Sequence, residues 1–110
     1  MTLTVDLADL RSANDKALAQ LSRATEDRFD PELAEIENFL LSLYQFTVLA
    51  VRSEQEIERA ADIWRETLDV IDGTARQVQA LAAQHSGVHP SLDKILEIRH
   101  AASEMLALYQ

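Results

Sequence analysis

The sequence predicts an all-α protein, an up-and-down bundle of four helices, from three observations. Only two Gly and two Pro occur in 110 residues, so the chain has few places to turn. Apolar residues over most of its length recur at steps of three and four, the period of an amphipathic helix. The stretch Phe39 to Val51 reads FLLSLYQFTVLAV, and its ten apolar residues of thirteen point in every direction at 100° per residue. A helix apolar all round must be covered all round, so this stretch is expected at the centre, wrapped by neighbours or by a second copy of the chain. It is shorter than the ~20 residues that cross a bilayer, and Ser42, Gln45 and Thr47 interrupt it. A chain of this length makes one helical domain, 1–110, burying roughly 65% of the surface its unfolded form exposes.

The first helix is expected over 5–28. Leu7, Leu10, Asn14, Ala17, Leu21 and Ala24 follow alternating steps of three and four, and Thr4 or Asp6 supplies a cap acceptor. Asn14 in that seam either fixes register, as single polar residues do in coiled coils, or sits at the seam's edge facing water; Leu18 close by favours the edge.

Asp30-Pro31-Glu32 predicts the start of the second helix, 31–52. It combines an N-cap acceptor, a proline whose missing N–H costs nothing at the first helical position, and an acid facing the dipole. Ser53-Glu54-Gln55-Glu56 matches a capping box and predicts the third helix over 54–86. Its seam runs through Ile57, Ala60, Ala61, Trp64, Leu68, Ile71, Ala75, Val78, Leu81 and Ala82, with Gly73 inside it.

A competing reading joins these two helices. Ile36, Leu43, Ala50, Ile57, Trp64, Ile71 and Val78 stand seven apart, and one rod over 31–86 would be roughly 84 Å long. That arrangement is three helices with one long central helix in an intertwined dimer. The corner at Arg52 and Ser53 is preferred, because a helix apolar on most faces has a weakly defined phase and the repeat of seven then means little.

Gly87 suits a C′ position and Pro90 prevents continuation, which places a loop at 86–89 and the last helix over 90–110. Its apolar side carries Leu92, Ile95, Ile98, Ala102, Met105 and Tyr109. At ~33 residues and ~50 Å the third helix should outreach the others. Its overhanging seam needs cover, which points to a homodimer or a protein partner.

The formal net charge is −9, and all of it lies between Glu26 and Asp72, where thirteen acids face four bases. Such a field repels phosphate backbones and anionic bilayers, so neither nucleic acid nor membrane is an expected partner. The absence of Cys excludes a disulfide scaffold and any thiolate site. The start, MTLTVDLADL, lacks the basic and apolar regions of a secretory signal, which makes a cytoplasmic location the expectation.

Few residues suggest chemistry. Glu97-Ile98-Arg99-His100 resembles the Glu-x-x-His of di-iron proteins with a ferritin-like fold, but no second such motif accompanies it. His85 and His89 have helical ligand spacing, yet Gly87 and Pro90 put them across a helix end, where a solvent-exposed pair is the simpler expectation. A metal or small-ligand bundle using His85, His89, Glu97 and His100 is therefore the alternative, with no metal or cofactor the preferred reading. Glu58, Asp62, Glu66 and Asp69 form an acidic stripe on the third helix, a candidate surface for a basic partner, partly compensated by Arg59, Arg65 and Arg76. No phosphate loop, activated nucleophile or cofactor fingerprint occurs, so enzymatic activity is not expected. The expected function is that of a small acidic helical protein-interaction module, an adaptor, chaperone-like protein or regulatory subunit.

Overall fold

A computed structural model describes residues 7–110. Four helices follow one another up and down: α1 (Leu7–Ser22), α2 (Glu26–Arg52), α3 (Ile57–Ala82) and α4 (Pro90–Leu108). The α2–α3 hairpin forms the middle, and α1 and α4 each pack against both of its helices, with no contact between α1 and α4 among the described residues. The result is an open four-helix bundle 46 × 26 × 16 Å across. The predicted caps Thr4 and Asp6, and the side chains of Leu7 and Leu10, lie outside the described residues.

The core fills the angle that each outer helix makes with the hairpin. Leu18 and Leu21 enter from α1, Leu33, Ile36, Leu40 and Leu43 from α2, Trp64, Ile71, Ala75 and Val78 from α3, and Ile95, Ile98 and Ala102 from α4. Two polar contacts cross it. The Asn14 amide donates to the Thr74 hydroxyl, which donates in turn to the Val70 carbonyl at 2.8 Å. Thr47 donates to the Leu43 carbonyl at 2.9 Å, which leaves Thr67 to donate to Thr47 at 3.0 Å. Asn14 is thus buried against α3, not turned to water, and it pins α1 at one height along its neighbour.

The chain turns where the corner reading places it, at Ser53, so there is no continuous rod. The capping box does not form. Ser53 keeps helical φ/ψ of −89° and −3° and closes α2, its hydroxyl donating to the Ala50 carbonyl at 2.9 Å. An N-cap needs extended backbone, and Glu56 supplies it (φ −96°, ψ 120°), so α3 starts at Ile57. Glu54 turns back instead to accept the Glu56 amide at 3.3 Å.

Pro31 does not start α2 but lies inside it, five residues beyond Glu26. Thr25, in extended conformation, is the N-cap, and its carbonyl accepts the amides of Arg28 and Phe29 at 3.0 and 2.9 Å. The Thr25 hydroxyl donates to Asp27 at 2.6 Å, and this bond, helped by the Asp27 amide and Arg28, lowers the Asp27 pKa. Lacking an N–H, Pro31 leaves the Asp27 carbonyl without its i+4 partner, so the first turn of α2 is tied to the rest by one hydrogen bond fewer. Burial of Phe29, 1% exposed, holds that turn in place.

The third helix ends at Ala82, and Gly87, at φ 100°, makes the left-handed turn toward Pro90 at the start of α4. With 26 residues to the 27 of α2, α3 does not outreach its neighbour. What remains of the overhang is Ile57, at the start of its seam and 68% exposed. Nor is α2 covered all round: Leu41 and Leu49 are 38% and 62% exposed.

Gly73 sits mid-helix in α3 with open space where a Cβ would stand. Gly73→Ala should therefore stabilise the fold by about 0.5–1 kcal/mol, the helix penalty of glycine, read as a higher urea midpoint; a lower midpoint would mean that a close neighbour fills that space.

Candidate functional site

Three surfaces bring together residues that carry charge, titratable groups or exposed apolar area. The first is the outward face of α3. A groove of about 890 Å³ runs along it between the Arg11 side of α1 and the Arg99 side of α4. The acidic stripe is placed here, but not as an unopposed anionic surface. Asp69 binds Arg11 at 2.8 Å, Asp62 binds Arg65 at 2.6 Å, and Asp72 lies 3.0 Å from Arg76 and 3.7 Å from Arg99. Along the groove Asp62, Glu66, Asp69 and Asp72 are matched by Arg11, Arg59, Arg65 and Arg99. The local charge is balanced, which weakens its attraction for a basic partner. Glu58 is exposed one turn from the corner and does not line the groove.

The second surface is at the opposite end of the hairpin. His85, just beyond α3, stacks on Phe29 with ring centres 4.0 Å apart, and His89, just before α4, meets the same ring edge-on at 5.1 Å. Each imidazole faces a carboxylate of α2: His85 Nδ1 lies 3.1 Å from Glu26, and His89 Nδ1 lies 2.7 Å from Asp30. The pair is not solvent-exposed, since their side chains retain only 16% and 9% of their accessible surface. The hydrogen bond to Asp30 raises the His89 pKa above its ordinary 6.5, with smaller help from the His85 carbonyl and the Glu26 charge and against the opposing effect of burial. Four potential ligands thus lie around one ring, with His89 bonded to Asp30 and His85 Nδ1 near Glu26 but without a hydrogen bond. No group of three or more His, Asp or Glu among the described residues is arranged to hold a metal ion.

Glu97 and His100 lie on the exposed part of α4, where His100 also lines the groove along α3. His100 pairs with Glu104 at 3.0 Å, and both side chains are about as open as surface residues can be. His85 and His89 lie near the start of α4, three turns away, so the four candidate ligands do not converge.

The third surface is apolar. Leu96, Arg99 and Ser103 lie on the α3 side of α4. At 100° per residue Leu108 falls on the opposite flank, toward α2. The two helices run parallel, and the contact of His89 with Asp30 sets an offset of 59 residues between them. Leu49 and Leu108 are 62% and 74% exposed, and Leu41 lies two turns back along α2. Sequence periodicity gave a hint only for Leu108, which falls outside the apolar side of its helix. Phe29, Glu26 and Asp30 gave none, because their partners stand some 60 residues away.

Comparison with known protein families, with curated proteins and with solved structures finds no match. No helix among the described residues is long and apolar enough to cross a membrane.

Proposed function

We propose that this chain is a small acidic protein-interaction module, and that it acts as a homodimer through the outer face of α2 and α4. One observation carries the reading: α2 and α4 leave Leu41, Leu49 and Leu108 exposed, at 38%, 62% and 74%. A lone surface leucine is ordinary, but several exposed ones on two helices lose that area only by meeting another surface. The mixed charges on the α3 side leave that face well solvated, so the apolar flank is the part of the molecule that gains from association. Glu97 and His100 add nothing to this surface, and no observation favours a ligand for them.

Solution mass by light scattering tests the proposal. The expected result is a rise with concentration toward twice the 12.3 kDa of the chain. In Leu49→Glu/Leu108→Glu that rise should disappear, while the far-ultraviolet spectrum stays helical, because both positions are exposed. A chain that stays monomeric at every concentration, or a double variant that associates as well as the parent, would rule the dimer out.

A further inference from the structure

We propose that Phe29, His85 and His89, with Glu26 and Asp30, form an acid-tightened latch that clamps the α3–α4 loop onto the first turn of α2. The geometry has three parts. Phe29 is fully enclosed and offers a ring face to His85 and a ring edge to His89, so both imidazoles are positioned by the same side chain. His89 Nδ1 is hydrogen-bonded to Asp30 at 2.7 Å, and His85 Nδ1 lies 3.1 Å from Glu26 without a hydrogen bond; the two acids are four residues apart, about one turn of α2. The part of α2 that carries both acids lies before Pro31, where the helix lacks a backbone hydrogen bond, so what the loop does to this turn is felt locally.

Protonation acts on the His89–Asp30 contact, whose gain outweighs the burial of His89 Nε2 without a partner. A charged imidazole makes an ion pair of the hydrogen bond between His89 and Asp30. The charges that act on His89 are those of Asp30 and Glu26, both on α2. The end of α3 contributes His85 with its carbonyl, and neither α1 nor α4 adds a charge to it among the described residues. Because the folded-state pKa of His89 is raised, the folded protein holds that proton more tightly than the unfolded chain. The stabilisation is therefore complete below 6.5 and is lost as pH rises through the higher folded-state value. Above that point the loop stays packed on Phe29 but loses the His89–Asp30 ion pair, and the pre-proline turn of α2 opens more readily.

Histidine ring resonances followed between pH 5.5 and 8.5 test the latch in the intact protein, together with urea midpoints at both ends of the range. His89 should titrate above 6.5 and fall back toward it in Asp30→Asn, a change at an exposed carboxylate that leaves the core untouched. The drop in urea midpoint from pH 5.5 to 8.5 should be smaller in Asp30→Asn than in the parent. A parent His89 that titrates at or below 6.5, or a pH dependence unchanged in Asp30→Asn, would overturn the proposal.

Discussion

Trp64→Ala should cost about 3–5 kcal/mol, enough to leave a domain of this size largely unfolded at room temperature. Trp64 is the largest wholly enclosed side chain of the core, and its ring meets Tyr44 of α2 at 5.4 Å. It sits two turns into α3, inside a core to which α2 and α4 also contribute, so its loss opens a cavity in that core. Trp64→Phe is the informative companion. The indole Nε1 has no hydrogen-bond partner among the described residues, and removing an unsatisfied donor recovers about 1–3 kcal/mol of desolvation cost, which offsets part of the lost volume. Phe should therefore cost much less than Ala in urea denaturation. Equal losses for the two would mean that the indole N–H is bonded.

Phe29→Ala should be nearly as damaging, at about 3–5 kcal/mol, and its effect should be local in a way that of Trp64→Ala is not. Phe29 is the anchor of the five residues that precede Pro31. Without it nothing apolar holds the Glu26–Asp30 turn, and both histidines lose the ring on which they rest. Amide exchange should become fast over Glu26–Asp30 and Ala83–His89 before it does in the middle of α2. The difference in stability between pH 5.5 and 8.5 should shrink as well. Protection lost evenly along all four helices would show that the first turn of α2 is not a separate element.

Much of this fold is legible in the sequence, and each misreading has a physical cause. The turn at Gly87 and Pro90 was readable because local backbone demands decide it: a left-handed residue followed by one that cannot continue a helix. The corner at Ser53 was readable too, but not its chemistry. The Ser-x-x-Glu pattern satisfies a capping box only if Ser leaves helical conformation, and here the end of α2 keeps it there. Asp30-Pro31 carried every local mark of a helix start. It was overruled by Phe29, whose burial against His85 and His89 repays an earlier start at Glu26, and no window of local sequence contains that contact.

The candidate surfaces divide in the same way. The acidic stripe on α3 was visible as charge spacing along one helix. Its neutralisation was not, because Arg11 and Arg99 come from the two outer helices. Leu41 and Leu49 could not be told from the core residues around them, since a helix apolar on most faces does not reveal which face meets water. Asn14 was ambiguous until Thr74 stood opposite it.

Every one of these conclusions depends on one chain turning back at Ser53 and closing its core on itself. With no native Cys, Asp27→Cys/Gln84→Cys places two exposed, unique labels at the far end of the hairpin. Doubly labelled chains diluted into a large excess of unlabelled protein then report only the distance within one chain, whatever the oligomeric state. A chain that turns at Ser53 puts the labels beside each other, within ~30 Å, whereas a continuous helix over the same 57 residues would hold them ~86 Å apart. The short distance is the predicted result; the long one would contradict the hairpin, the latch and the apolar flank together.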